Sequence, residues 1–325
     1  MSHDNTLSMP VKPRTETYRP LAMTPGQDLR GYLVSKLGRA ALLLITCSSV
    51  LAVLLIFYFV IRESLIFIRA EGLWSALTAN AWYPKSEHPR FGMLALVAGS
   101  AYVTAAALVF SVPIGVTAAV FLSDIVSFKI RGVVKPVIEI LAAIPSVAYG
   151  FFAVLVLAPW MQTHLGFSTG TNALNASLIL AVMALPTIIS VAEDAISSLG
   201  RELREASYGL GATRFETLFK VVIPAAHSGI IAAVILGMMR AIGETMVVWM
   251  ASGNATQIPS PWWDLSQSVR TMTATIAGEM GEVPKDTDHY YVLFAVGTLL
   301  LIFTFSLNMV SEYFMAKVKK NARGH

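Results

Sequence analysis

Two charged residues lie inside a long apolar run in the second half of the sequence. Arg240 and Glu244 are four residues apart within residues 229–251, so in a continuous helix they share one face. A charge at the centre of a membrane helix costs about 2.5 to 3.5 kcal/mol, and two such costs indicate a role. A planar guanidinium can hold two oxygens of an oxyanion, and the carboxylate can orient it and accept a hydrogen bond from a protonated anion. A purely structural ion pair between helices is the alternative.

The composition is that of a membrane protein. Hydrophobic residues make up 55% of the 325 residues and charged residues 14%, against about a quarter charged in soluble domains. The net charge of +4 does not indicate nucleic-acid binding, because the basic residues cluster between apolar runs. The single cysteine, Cys47, excludes a disulfide framework and a CxxC metal site. We expect no catalytic residue, no metal and no cofactor, since the histidines show no ligand spacing and no Ser/His/Asp grouping is apparent.

Six apolar stretches are long enough to cross a membrane, which takes about 20 residues. They predict an all-α polytopic membrane protein with six transmembrane helices, at residues 40–61, 93–122, 137–160, 174–192, 229–251 and 291–315. Arg240 lies about twelve residues into the fifth, which places it near the bilayer midplane. Pro113, Pro145 and Pro186 fall inside the second, third and fourth stretches, and each should kink its helix.

The polar segments predict the domain organisation and the orientation. Residues 1–30 form a polar tail, expected to be disordered and cytoplasmic, and residues 31–325 form one membrane domain. Lys and Arg concentrate in the tail, in the connectors after the second and fourth spans and at the C-terminus, so both termini are expected on the cytoplasmic side. Residues 252–289 then form a periplasmic loop, which is either a docking surface or a solvated connector.

The cytoplasmic connector, residues 195–228, has the pattern of two short helices. Gly209 and Gly211 supply a turn, and Thr213 with Glu216 forms a capping-box pattern. Pro224 is expected to end the second helix before the fifth span begins. We predict a helix-turn-helix that lies against the membrane. It is not a DNA-binding element, because no helix here carries a basic, base-reading face.

This connector resembles the EAA loop of ABC-importer permeases. The residues are Glu205-Ala206-Ser207-Tyr208-Gly209-Leu210-Gly211, followed after nine residues by Val221-Val222-Ile223-Pro224. The resemblance implies a type I ABC-importer permease (MetI-like) fold. It also implies that Glu205, Ala206, Gly211 and Pro224 form the coupling element that contacts a separate ATPase. The chain has no Gly-Lys dipeptide and hence no Walker A loop, so ATP hydrolysis would belong to a partner.

A second resemblance concerns the charged span. Arg240-Ala241-Ile242-Gly243-Glu244 resembles oxyanion permeases, and Thr245-Met246 together with residues 144–150 is similar to phosphate permeases of the PstC type. The resemblance implies a bacterial inner-membrane protein that imports phosphate. Its implied partners are a PstA-like second permease, a PstB-like ATPase dimer, a PstS-like periplasmic phosphate-binding protein and membrane lipid. A permease for sulfate or molybdate, and a membrane scaffold for phosphate-responsive signalling, stay open as alternatives.

Small residues form a further pattern in the fifth span. Ala233, Gly237 and Ala241 recur at every fourth position and predict a surface on which another helix packs closely. That helix can belong to this chain or to a second subunit.

Overall fold

The computed structural model describes residues 25–323, and its regular structure is almost wholly helical. Three π turns, Phe121–Ile125, Ala153–Leu157 and Leu218–Val222, extend or join the helices. The predicted all-α architecture is confirmed. The elements are α1 (Pro25–Glu71), α2 (Leu73–Thr78), β1 (Trp82–Tyr83), β2 (Arg90–Phe91), α3 (Leu94–Val120), α4 (Phe128–Ala143), α5 (Ser146–Phe152), α6 (Ala158–Leu165), α7 (Ala173–Ser197), α8 (Glu202–Gly209), α9 (Arg214–Thr217), α10 (Ile223–Gly243), α11 (Met246–Ala251), α12 (Met272–Glu279) and α13 (Asp288–Arg323).

By internal packing the chain divides into two units, residues 1–57 and 58–325. The described part of the first unit is the first part of α1, whose apolar side chains are exposed. Residues 25–30 of the predicted polar tail belong to α1, and the rest of that tail lies outside the described residues. The second unit contains the end of α1, the strands β1 and β2, and the helices from α2 to α13.

Six helical segments of the described chain are long and apolar enough to cross a membrane, as predicted. The first, fourth and sixth contain the whole of their predicted counterparts, and the second contains all of its counterpart except residue 93. The third and fifth are displaced along the sequence. The six segments are Val34–Glu71, Leu94–Ile125, Ser146–Leu165, Ala173–Ser197, Arg214–Gly243 and Asp288–Ala316.

The predicted third span, residues 137–160, is wrong at its start. Residues 137–143 belong to α4, a separate amphipathic helix, and the span begins only at Ser146. Ile144 is extended, with φ −64° and ψ 128°, and Pro145 is the N-cap of α5. A proline disfavours the α conformation of the residue before it, so Pro145 separates two helices here, where the sequence predicted a kink within one. The chain does continue as a helix through Pro113 and Pro186.

The predicted fifth span, residues 229–251, is wrong at both ends. Pro224 does not end the preceding helix, because α9, the π turn Leu218–Val222 and α10 form one helical run from Arg214 to Gly243. Pro224 lies in the first turn of α10, directly after the π turn, where a missing backbone donor is tolerated. The run ends at Gly243, and Glu244 is extended with ψ 133°. Gly243 is the last helical residue, and glycine has a low propensity for the helix interior.

α7 is the central helix of the second unit. Some 61% of its most apolar stretch is buried, more than in any other described span, and α3 and α10 pack on its sides. Two clusters of buried side chains line it: one includes Ile179, Leu180 and Met183, and the other includes Ala192 and Ile196. A third cluster joins the start of α3, the hairpin β1–β2 and α13.

The small-residue face of α10 packs inside the chain. Ala233, Gly237 and Ala241 are all buried, and a Cβ atom at Gly237 would lie 2.5 Å from Cγ1 of Ile188 in α7. Gly115 of α3 meets the same side chain, since its Cβ would lie 2.7 Å from Cγ2 of Ile188. One isoleucine therefore sets the separation of three helices, and the predicted close-packing partner is α7 of the same chain.

We expect Gly237→Ala to destabilise the folded protein by about 1–3 kcal/mol, because the added methyl group overpacks Ile188. Thermal unfolding of the detergent-purified protein measures the change. Gly132→Ala in α4 is the matched control. Its Cβ would meet nothing within 4 Å, so this change should leave the midpoint unchanged or raise it.

In an Ile188→Ala background the cost of Gly237→Ala should disappear, since the clashing atoms are gone. An equal cost of Gly237→Ala in both backgrounds would contradict this packing.

Candidate functional site

The first candidate site is the break between α10 and α11. Arg240 lies in the last turn of α10, and Glu244 is the extended residue that follows it. Thr245 precedes α11, which resumes at Met246. The structure therefore places Arg240 and Glu244 at an interrupted membrane helix, where backbone groups are freed from the helical ladder.

Two expectations for this pair are wrong. First, Arg240 and Glu244 do not stand on successive turns of one helix, because the chain is extended at Glu244, and within residues 25–323 no ion pair joins them. Second, Arg240 is not in the middle of its span, and its side chain is exposed on the surface of this chain, whereas Glu244 is half-buried. The prediction put both residues on one helical face because it did not recognise that the helix ends at Gly243.

A second interrupted helix packs beside the first. α5, which follows the break at Pro145, contacts α11. The contact is close, since a Cβ atom at Gly150 would lie 2.5 Å from Sδ of Met250. Tyr149, the neighbour of Gly150, donates a hydrogen bond to the carbonyl oxygen of Leu141 in α4 at 3.0 Å. Both breaks, each with polar side chains nearby, therefore lie in one region of the bundle.

The second candidate site is the turn after α8. The N–H of Gly211 donates to the carbonyl of Tyr208 at 2.9 Å, and the N–H of Ala212 donates to that of Ser207 at 3.2 Å. This is the paired hydrogen bonding of a Schellman motif. Gly211 occupies its left-handed position with φ +85°, which glycine adopts without steric cost. The predicted turn is confirmed at Gly211, whereas Gly209 is the last residue of α8. The capping box of Thr213 and Glu216 is confirmed.

The connector end, defined here by α8, α9 and the ends of α3 and α7 nearest them, is held together by polar contacts. Arg204 of α8 forms an ion pair with Asp124 at 2.6 Å, with both side chains largely buried. The same guanidinium donates to the carbonyls of Gly200 at 2.6 Å and Ile196 at 3.2 Å. α8 is thus fixed to the helical run that ends the second span and to the residues after α7.

The outer surface of this connector is apolar and exposed. Leu210 is 91% exposed at the tip of the turn, and Phe215 is 69% exposed and stacks on Phe219 with ring centroids 4.4 Å apart. The predicted coupling residues Glu205, Ala206 and Gly211 are exposed around the same tip, and Pro224 is exposed farther along the run. A rigid turn that displays large apolar side chains is typical of a surface that binds another protein.

Sequence reasoning missed a buried carboxylate at the connector end. Glu193 of α7 is 1% exposed. It forms ion pairs with Arg131 and with Lys135, the latter at 2.8 Å, and it accepts a hydrogen bond from Ser197 at 2.9 Å. α4 is thereby tied to α7. A signal was present, since Arg131 and Lys135 are four residues apart on the polar side of an amphipathic helix.

A second buried carboxylate lies at the hairpin end, defined here by β1, β2, α12 and the start of α13. Glu279 is 7% exposed and accepts a hydrogen bond from the indole of Trp82 at 3.2 Å. It also pairs with Arg270 at 2.9 Å and with His289 at 2.8 Å. Arg270, Glu279 and His289 lie within twenty residues of one another, whereas Trp82 is 197 residues from Glu279. No periodic pattern joins these four residues in the sequence.

The predicted loop 252–289 is ordered. Asp264 accepts hydrogen bonds from the backbone and hydroxyl groups of Ser266 and from the amide of Gln267. These hydrogen bonds hold the pKa of the Asp264 carboxyl below its usual value. The bond from the Ser266 hydroxyl has the largest effect, and the bond from the Gln267 amide has the next largest. Gln267 also exchanges two hydrogen bonds with the backbone of Ser260. These bonds pin the turn on which Trp262 and Trp263 are exposed.

The six long apolar helical segments place the described chain in the class of polytopic membrane proteins. The chain matches the family described as binding-protein-dependent transport system inner membrane component over residues 111–320. This is more than half of its length, and the chain belongs to that family. Membership carries with it the permease fold that the connector motif predicted.

Individual relatives agree with this assignment. The chain is 37% identical to the probable ABC transporter permease protein YqgH of Bacillus subtilis, over 75% of this chain and 78% of that protein. It is 33% identical to the phosphate transport system permease protein PstC of Mesorhizobium japonicum, over 75% of this chain and 79% of that protein. It is 30% identical to the phosphate transport system permease protein PstC of Pasteurella multocida, over 76% of this chain and 81% of that protein. These relatives are permease subunits.

We expect Arg204→Ala to loosen the connector without unfolding the bundle, because it removes an ion pair and two bonds to helix-end carbonyls. Amide hydrogen exchange in α8 should accelerate, while exchange in α7 and α10 stays slow. Arg214→Ala, at an exposed arginine of α9, is the control. If both variants show the same exchange in α8, the Asp124–Arg204 contact does not hold the connector.

Proposed function

We propose that this chain is a membrane subunit of an ATP-driven importer for inorganic phosphate. It forms half of the translocation path and couples to a separate ATPase. The single observation that carries the proposal is Arg240, a charged side chain that ends a membrane helix and faces out of this chain. The names of two relatives, both phosphate transport permeases, support phosphate as the substrate.

The anion would be handled at the break after α10. The guanidinium of Arg240 offers a planar fork of donors that fits two oxygens of phosphate. Glu244, one extended residue beyond the helix, can accept a hydrogen bond from a protonated phosphate, which sulfate cannot offer. Arg240 and Glu244 are not paired with each other, so both side chains are available to a passing ion.

A second permease subunit would complete the path. An arginine exposed at the end of a membrane helix is costly against lipid, so we infer that another protein surface or a water-filled cavity faces it. α4 supports this inference. Its side chains Ile130, Val133, Val137 and Ile140 are exposed on the helix that precedes the break at Pro145. A PstA-like subunit that covers both features would enclose the path between two chains.

The connector would receive the ATPase. Leu210 and Phe215 are fixed on a Schellman turn and a capped helix, and they offer a rigid apolar surface to a PstB-like partner. We place this connector end in the cytoplasm, on the basis of its lysines and arginines. Both termini would then be cytoplasmic, and the chain would lie in the bacterial inner membrane.

The hairpin end would face the periplasm and a PstS-like phosphate-binding protein. The ordered turn that carries Trp262 and Trp263 is exposed there. The choice between phosphate and another oxyanion rests on the relatives alone, and the relative YqgH is named as a permease without a substrate. Competition of labelled phosphate uptake by sulfate and molybdate tests this choice, and strong competition would favour the broader assignment.

We expect Arg240→Gln to abolish phosphate uptake, because glutamine keeps much of the length but loses the charge that attracts the anion. Uptake of labelled phosphate is measured in the host cell with the variant replacing the native chain. Complex assembly, followed by co-purification of the partner subunits, should stay intact. Arg69→Gln, at an exposed arginine near the end of α1, is the matched control and should transport normally. Retained uptake by Arg240→Gln would remove Arg240 from the path.

We expect Gly211→Asp to weaken ATPase binding without unfolding the membrane bundle. A Cβ atom at Gly211 meets nothing within 4 Å, but its φ of +85° disfavours any side chain, so the turn is strained and gains a charge beside Leu210. Co-purification of the ATPase measures binding, and thermal unfolding of the permease measures stability. Ile258→Asp, at an exposed side chain outside the connector, controls for an added surface charge. ATPase recovery at the native yield from the Gly211 variant would contradict the docking role.

A further inference from the structure

α12 lies within the segment that the sequence predicts as a periplasmic loop, yet it is buried. Met272, Thr273, Ala274 and Thr275 are each less than 7% exposed. The helix packs against α3, α11 and α13. A short helix so deeply enclosed is part of the protein core and is not a solvated connector.

Both ends of α12 are anchored to other elements. At its start, the N–H of Met272 donates to the hydroxyl of Ser100 in α3 at 2.9 Å, and Thr271 caps the helix by accepting from the N–H of Ala274 at 3.2 Å. At its last residue, Glu279 binds Trp82 of the hairpin and His289 of α13. α12 therefore connects the hairpin end to the contacts made by its own first turn.

The first turn of α12 touches the first candidate site. The hydroxyl of Thr273 donates a hydrogen bond to the carbonyl oxygen of Glu244 at 2.8 Å. This carbonyl lies just past the end of α10, where the helix no longer supplies a donor. Inside a membrane such a group must be satisfied by protein or by water in a cavity, and Thr273, which is 6% exposed, satisfies it.

We propose that Thr273 is a positioning residue for Glu244, and that α12 links the hairpin end to the anion-handling break. The proposal rests on the proposed function, because it assumes that Glu244 contacts the anion. A hydrogen bond to the backbone carbonyl helps to hold Glu244 at φ −71° and ψ 133°. These angles set the direction in which its carboxylate projects. Loss of the bond frees the peptide group to rotate and releases the side chain from its orientation.

Thr273→Val tests the proposal, because valine keeps the shape of threonine and removes the donor. The apparent KM for phosphate uptake should rise about tenfold, as expected for a lost hydrogen bond to a buried group. Thr273→Ser keeps the donor and should restore the native KM. Thr275→Val is the matched control. Thr275 is equally buried and lies in the same helix, but its hydroxyl bonds only to the carbonyl of Thr271, at 2.8 Å. The control should lower stability without changing KM.

A second measurement does not depend on transport. Cys47 is the only cysteine of the chain, so a Cys47→Ser background makes Glu244→Cys a unique thiol at the site. The rate at which an anionic thiol reagent modifies this position in the assembled complex should change when Thr273→Val is added. It should not change when Thr275→Val is added. Equal rates in all three backgrounds would overturn the positioning role.

The two proposals fail in different ways. If Arg240→Gln keeps its uptake, the proposed function fails, whereas the modification rates still decide the role of Thr273. If Arg240→Gln loses uptake but Thr273→Val and Thr275→Val share the same KM, the inference about Thr273 is overturned and the proposed function stands. The inference is also overturned if Thr273→Ser raises the KM as much as Thr273→Val does, because the hydroxyl donor would then be irrelevant.

Discussion

The backbone polar groups freed where α10 and α4 stop constrain the rest of this structure. α10 ends at Gly243 and α4 ends at Ala143, and both times the chain is extended for a residue or two before a new helix begins. In hydrocarbon such breaks are tolerated only where protein or water covers them. The close packing of α5 on α11 and the insertion of α12 beside Glu244 provide that cover. Much of the second unit is thus arranged around two interruptions.

The spans and the connector could be predicted from the sequence because their signals are local. An apolar run of about 20 residues identifies a membrane helix by itself, and the glycine turn with its capping box is encoded within a dozen residues. The errors arose at Pro145, Pro224 and Gly243. Proline at the start of a helix and proline inside one look alike in a sequence, and only the neighbouring backbone decides between them.

The role of Arg240 and Glu244 stays a prediction, but the geometry that the sequence predicted for them is wrong. Their assumed pairing depended on a helix that does not continue past Gly243. The buried carboxylates Glu193 and Glu279 were missed, because their partners come from other helices. The contacts of Glu193 join α4 to α7, and those of Glu279 join α12 to the hairpin and to α13.

The continuity of the run from Arg214 to Gly243 has a geometric consequence for the connector. At 1.5 Å per residue, its 30 residues span about 45 Å. If its Arg240 end is taken as a pivot, a tilt of roughly 5° carries the other end sideways by about 4 Å, in the manner of a long lever. A helix broken at Pro224 would have absorbed such a tilt as bending. Because the helical run continues through the π turn and Pro224, small angular changes at one terminus are tied to ångström-scale displacements at the other.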